Sequence, residues 1–316
     1  AERGVRCRVL VDSIGSSAFL RSAWPGRLRA GGIEVVACLP VSILRSVAVR
    51  IDLRNHRKLA VIDHEIAHVG SLNLADPAIF RREAGVGAWV DASVRVRGPA
   101  VEALAGLFEI DWCLETGRPL AIPELDRQRP PEHGASPVQV LPSGPGRAPH
   151  AIHQVVLTAI YAARSELVIS TPYFVPDDAT LRAMAAAAYG GVRVKLIVPE
   201  RTDHPLVSLA CRSSYQDLLQ AGAEIWQFQG GLLHSKTIVV DRQIALIGSL
   251  NMDMRSFWLN FEVTLAVYDE GFAGRVRALQ EDYIARSGRV DADTWRRRRF
   301  AVRLVENAAR LASPVL

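Results

Sequence analysis

Short β-branched runs alternate with helical patterns along the chain. "ELVIS" (Glu166–Ser170), "RVKLIV" (Arg193–Val198) and "TIVVD" (Thr237–Asp241) read as strands. "IHQVVLTAIYAAR" (Ile152–Arg164) and "DDATLRAMAAAAYG" (Asp177–Gly190) carry apolar residues at helical spacing. In the first half, "GVRCRVLVD" from Gly4 and "KLAVID" from Lys58 are again strand-like. The alternation predicts an α/β fold with mixed sheets flanked by helices. The stretch Arg118–His150 has no period of either kind, because Pro and Gly interrupt it throughout.

The pattern occurs twice. "HRKLAVIDHEIAHVGSLN" (His56–Asn73) aligns without gaps on "HSKTIVVDRQIALIGSLN" (His234–Asn251), with ten of 18 positions identical. Weaker matches lie upstream, "GVRCRVLVD" with "GVRVKLIVP" and "LRAGGIEV" with "LQAGAEI". A repeat this long predicts two copies of one domain: residues 1–125, a linker over 126–150, and residues 151–316. Copy two places a helix, a strand and a second helix (Ala151–Gly190) before its "GVRVKLIV", and copy one has no counterpart. The expectation is a first domain without its opening strand and helix, whose sheet shows an unpaired edge or an exposed apolar face.

Composition narrows the chemistry. The chain has 316 residues, of which 49% are hydrophobic, enough for a substantial core. Its four cysteines are scattered with no C-x-x-C, which gives neither a zinc ribbon nor a disulfide framework. No apolar run approaches the ~20 residues of a membrane span, and the opening residues do not form a signal peptide. The net charge of +5 suits an anionic partner. Lys58, Lys195 and Lys236 are the only lysines among 38 basic residues, and two of them occupy the same place in the repeat.

Two motifs compete within His56–Asn73. His64-Glu65-Ile66-Ala67-His68 spells H-E-x-x-H, which binds zinc only on a helix. Here it follows a strand-like run, and copy two has "RQIAL" in its place, so a turn between two strands is the better reading. His56-Arg57-Lys58 is duplicated as His234-Ser235-Lys236. In a strand, residues two apart share a face, so each His would stand beside its Lys. Ser71/Asn73 and Ser249/Asn251 follow at the same spacing, and a hairpin would return them to the His. Asp63 and Asp241 close the pattern and read as structural groups near the strand ends. Lysine charge and Ser/Asn hydrogen-bond donors suit a phosphate, and imidazole suits a nucleophile or an acid–base.

On these segments the chain resembles the phospholipase D superfamily, and within it the bacterial cardiolipin synthases. The narrower resemblance rests on "TPYFVPDDATLRAM", "RTDHPLVSLACRSSY", "GSLNMDMRSFWLNFEV" and the Ser-Pro-Val-Leu end. It implies two similar α/β domains related by a pseudo-twofold axis, with one active site between them. Its residues would be His56, Lys58, Asp63, His234, Lys236 and Asp241, supported by Ser71, Asn73, Ser249, Asn251, Asp91 and Glu262. By the same resemblance Glu262 orients the imidazole of His234, and Asp91 of Trp89-Val90-Asp91 is its counterpart in copy one. Ser93 stands where the family usually has a His.

The implied reaction converts two phosphatidylglycerols to cardiolipin and glycerol through phosphohistidine, with His56 as nucleophile and no metal or cofactor. The implied partners are phosphatidylglycerol, other anionic phospholipids and a membrane surface. The implied location is the bacterial cytoplasmic membrane, anchored by N-terminal helices outside this chain. Nucleic acid is disfavoured, because basic residues are not interleaved with stacking aromatics. Hydrolysis of a phospholipid or nucleic acid by the same double motif stays open. Tyr173, Phe174, Asp203 and His204 are further candidates for headgroup contact. So are Arg296–Arg299 beside Trp295 and Phe300, with "FAVRLVENAARLA" as an amphipathic helix or, equally, as a core-facing one.

Overall fold

In the computed structural model, the described residues are 1–40, 52–77, 84–119, 134–146 and 150–311. The second half is built on one mixed sheet. Its strands run in the spatial order Ser287–Arg289, Glu224–Phe228, Arg193–Pro199, Glu166–Ser170, Thr237–Val240, Ile244–Gly248 and Asn260–Tyr268. The three strands from Glu224–Phe228 to Glu166–Ser170 are parallel, and the rest of the ladder is antiparallel.

Strand Glu166–Ser170 is buried along its whole length, as a central strand covered on both faces must be. Leu167 and Ile169 pack in one cluster with Val156 and Ile160 of helix Ala151–Ala162 and Met184 of helix Asp178–Tyr189. Val168 packs on the other face with Tyr283 of helix Glu270–Ala285. Two of these helices begin on an aspartate cap. Asp177 accepts from the backbone N–H of Ala179 and Thr180, and Asp269 from that of Phe272.

The first half repeats this plan in two pieces. Cys7–Asp12 pairs in parallel with Ile33–Cys38, and Leu59–Ile62, Ile66–Gly70 and Ser93–Arg97 form an antiparallel trio. By the repeat, Cys7–Asp12 corresponds to Arg193–Pro199 and Leu59–Ile62 to Thr237–Val240. In the second half Glu166–Ser170 lies between those two strands, and among the described residues of the first half nothing does. The exposures follow. Thr237–Val240 is fully buried, whereas Leu59–Ile62 alternates half-buried and exposed.

The halves share a core. Leu104 and Leu107 of helix Ala100–Thr116 and Val69 pack with Ile247, Val263 and Leu265 of the second half.

Part of the expected linker is ordered structure. Val138–Ser143 is a strand, antiparallel to Asn260–Tyr268. Its Val138 and Val140 pack on the shared core, and its Pro142 is tolerated because the strand has only one described neighbour. Residues 126–133 of the linker lie outside the described residues.

Candidate active site

Each repeat folds as a hairpin that closes through a turn with two residues in the left-handed region. These are Asp63 (φ 53°) and His64 (φ 57°) in the first, Asp241 (φ 51°) and Arg242 (φ 57°) in the second. Glu65 N–H donates to the Ile62 carbonyl and Gln243 N–H to that of Val240, closing both turns. Asp241 is committed there. Its carboxylate accepts from the backbone of Arg164, Ser165 and Glu166 and from the Ser165 hydroxyl. The repeated aspartates are therefore turn residues at the hairpin end away from the His-x-Lys, and their grouping with the catalytic residues is corrected. His64 lies in that turn, and His68 lies exposed on strand Ile66–Gly70, so H-E-x-x-H never shares a helix face.

The opposite end of each hairpin carries the chemistry. The His-x-Lys triplets are not ladder residues, as the two-residue spacing suggested. They form the extended connection just before Leu59–Ile62 and Thr237–Val240. Gly70 N–H reaches the Lys58 carbonyl and Gly248 N–H that of Lys236, so the Gly-Ser pairs return beside the lysines. Only glycine fits at these two positions. A Cβ on Gly70 would meet the Ala92 carbonyl at 2.3 Å, and one on Gly248 the Val263 carbonyl at 2.2 Å. That close approach lets Ser71 N–H and Ser249 N–H bond those same carbonyls.

The two halves are joined by two short parallel pairs. Arg54–Asn55 runs beside Asn260–Phe261, and Leu232–Leu233 runs beside Trp89–Val90. One step further along each pair, His56 meets Glu262 and His234 meets Asp91. His56 Nδ1 lies 2.9 Å from both Glu262 carboxylate oxygens, and His234 Nδ1 lies 2.6 Å from Asp91 Oδ1. The pairing is crossed and reciprocal, each imidazole being backed by the other half's carboxylate. Assigning Glu262 to His234 is thereby corrected: 28 residues of chain separate the two, but the inter-half ladder brings Glu262 to His56.

A hydroxyl supports each carboxylate. Ser71 Oγ donates to Asp91 at 2.7 Å and Ser249 Oγ to Glu262 at 2.5 Å. Lys58 and Lys236 turn their ammonium groups onto the carbonyls of His56 and His234, at 2.8 and 2.7 Å. Asn251 is buried, and Asn73 is half-buried at the matching position of the first hairpin.

Burial dominates the electrostatics. It pushes His56 below its ordinary 6.5 against the opposing pull of Glu262, with Lys58 and Lys236 adding to the lowering. His234 is pushed further down, by burial and then by Lys236, although Asp91 opposes. Lys58 is lowered by burial to about 8, and Lys236 well below its ordinary value by burial and by Lys58. Burial acts to raise Asp91 and Glu262, and their imidazole partners, serines and lysines outweigh it, so both carboxyls stay ionised. Each lysine acts on groups of both halves, so the two clusters form one site.

Three contributors are absent from the motif. Arg57, the middle residue of the first His-x-Lys, donates to the carbonyls of Glu262 and Ser143 and pairs with Asp111. It therefore fixes the strand that carries Glu262. The second copy has Ser235 at that place, so the repeat gave no signal for it. Asn260 donates to Glu262 Oε1 at 3.2 Å. Trp89, its counterpart, lays its ring 4.4 Å from that of His234.

Of the remaining candidates, Phe174 is a core residue. The Tyr173 hydroxyl bonds Asp203 at 2.6 Å, and Asp203 lies 3.5 Å from His204, so these three are linked to one another. Ser93 begins a strand opposite Gly70 and is exposed.

Comparison with known proteins bears on the family and the fold. A family profile described as "Cardiolipin synthase, PLD-like domain" matches residues 1–112 and 156–283, one stretch in each half. A protein of Erwinia tasmaniensis named cardiolipin synthase A is 48% identical, covering all of this chain and 65% of its own length. The protein of that name from Yersinia pseudotuberculosis is 46% identical with the same coverage. The chain thus spans about 65% of the length of the curated relatives it matches. Among solved structures, the phosphatidylserine synthase of Haemophilus influenzae superposes with a TM-score of 0.68 at 16% identity. That match covers 98% of this chain and 83% of that one, and shows the shared fold. The profile covers most of both halves, and the chain belongs to the phospholipase D-like family of cardiolipin synthase domains.

Proposed function

We propose that the site transfers a phosphatidyl group between two phosphatidylglycerols, giving cardiolipin and glycerol through a phosphohistidine. The observation that carries this reading is the crossed pair of imidazole–carboxylate units. A carboxylate on Nδ1 fixes the tautomer and leaves Nε2 as the reacting nitrogen of each ring. His56 Nε2 attacks phosphorus, and the bond to the leaving glycerol oxygen breaks as His234 gives that oxygen a proton. The neutral His234 then removes a proton from the hydroxyl of a second phosphatidylglycerol. The resulting oxygen attacks phosphorus, cardiolipin leaves, and both imidazoles return to their starting states. While the Ser71 and Ser249 hydroxyls hold the carboxylates, Lys58 and Lys236 neutralise the non-bridging oxygens, with Asn73 and Asn251 as further donors. Each such donor contributes about 3–4 kcal/mol of barrier stabilisation.

The substrates are anionic phospholipids, and the place of action is the bacterial cytoplasmic membrane. Among the described residues no helix is long and apolar enough to cross it. Thin-layer chromatography of phosphatidylglycerol incubated with the protein in detergent tests the reading. Cardiolipin supports it. Phosphatidic acid alone would replace it with the hydrolytic alternative, which the same two imidazoles would serve with water as acceptor.

The electrostatics set the pH dependence. The cycle needs one imidazole neutral and one protonated, and both are held below 6.5. As pH rises above neutral the protonated fraction falls, and above about 8 Lys58 also loses its charge. The expected profile of kcat/KM is a bell centred on the acid side of neutrality, whose alkaline limb falls about tenfold per unit and steepens above pH 8. A flat profile between pH 7 and 9 contradicts this assignment.

A further inference from the structure

Helix Phe300–Arg310 is mounted with its polar face inward. Glu306 is buried, and Arg298 grips it with two bonds of 2.7 and 2.8 Å while Arg212 approaches to 3.5 Å. Both guanidinium groups lie on the ring of buried Trp295, Arg298 at 3.4 Å and Arg212 at 5.3 Å. Arg310 reaches Asp178 of helix Asp178–Tyr189. Ala309 joins Glu306 on the buried side, and the large apolar residues point the other way. Phe300 is 75% exposed, Leu304 57%, Val305 53% and Leu311 85%. Spacings of four and seven residues place Phe300, Leu304 and Leu311 on one stripe. The packing thus excludes the core-facing reading of this helix. Single exposed apolar residues are ordinary, but a contiguous stripe marks an interaction face.

The charge around the stripe says what covers it. From Trp295 to Leu311 there are six arginines and one acid, Glu306. That net of five equals the formal charge of the whole chain, so the remainder is balanced. Arg296, Arg297, Arg299 and Arg303 are exposed beside the stripe. A second copy presenting the same face would bring like charges together. A stripe of leucine and phenylalanine rimmed by arginine suits a bilayer surface, with the side chains among acyl chains and the guanidinium groups among phosphates.

We infer that helix Phe300–Arg310 is a membrane-docking element that lies in the plane of an anionic lipid surface. The inference extends the lipid reading of the active site to a different part of the molecule. Helix Pro205–Ser213 packs against this helix and also against strand Phe174–Val175, which pairs with Met252–Asp253 directly after Asn251. The docking element is therefore connected to the site by packed structure.

The test is sedimentation of the full chain with phosphatidylcholine vesicles, with and without phosphatidylserine, an anionic lipid outside the proposed reaction. Binding is expected to need phosphatidylserine and to weaken with salt. The triple variant Phe300→Ser/Leu304→Ser/Leu311→Ser, and separately Arg296→Gln/Arg297→Gln/Arg299→Gln, should each bind at least about tenfold more weakly. Hydrolysis of a water-soluble phosphodiester should be unchanged in both. A fluorophore on Leu304→Cys should shift to the blue on anionic vesicles, whereas one on Tyr189→Cys should not, and this holds whether or not the triple variants fold. Unchanged vesicle binding by both triple variants overturns the inference. So does conversion of a dimer to a monomer by the apolar variant with vesicle binding intact. If vesicle binding behaves as expected but no cardiolipin forms, the catalytic reading fails and the docking element stands.

Discussion

Asparagine in place of His56 or of His234 is expected to lower cardiolipin formation by about 10⁴-fold or more, and the two variants should fail at different steps. The sequence is symmetric on which imidazole attacks, but the structure is not. The His56 side chain is 28% exposed and that of His234 3%, which makes His56 the more accessible imidazole. With phosphate-labelled lipid and acid quenching, His56→Asn should leave no labelled protein. His234→Asn should still form the adduct from a lipid with an activated leaving group, because such a group needs no proton. That adduct should then persist, since no base remains to activate the acceptor. Peptide mapping identifies the labelled histidine. Label on the peptide containing His234 reverses the roles, and cardiolipin formed with label on neither removes the covalent route.

The part of the site legible in the sequence was the part that is duplicated. His56, Lys58, Ser71 and Asn73 stand out because His234, Lys236, Ser249 and Asn251 repeat them, and the structure returns Gly-Ser beside Lys in both hairpins. What escaped depends on contacts between the halves. The two inter-half ladders are two residues long, too short to leave any periodicity, yet they decide which carboxylate serves which imidazole. Arg57 escaped because its counterpart is Ser235, and Asn260 because its counterpart is Trp89. Strand Val138–Ser143 was hidden by Pro142 and the glycines after it, which a strand with one described neighbour accommodates. For helix Phe300–Arg310 the amphipathic pattern was visible, but which face turns inward is fixed by Glu306, Arg298 and Trp295 in three dimensions.

The crossed pairing makes the second large prediction. Glu262→Gln and Asp91→Asn are isosteric, and each removes a carboxylate that holds an Nδ1–H. Each is expected to lower turnover by about 10²- to 10⁴-fold, through loss of the correct tautomer and of the charge facing a developing imidazolium. The two losses should respond oppositely to the leaving group. Glu262 serves His56, so Glu262→Gln weakens the nucleophile, and an activated leaving group should recover little of the rate of adduct formation. Asp91 serves His234, so Asp91→Asn weakens the acid, and an activated leaving group should restore most of that rate while leaving the adduct slow to turn over. Ser249→Ala and Ser71→Ala should give milder versions of the same two patterns, since each hydroxyl acts only through its carboxylate. If His56 is the nucleophile, restoration in Glu262→Gln and not in Asp91→Asn would mean that each imidazole is served from its own half, and the crossed geometry would not be the one that works in catalysis.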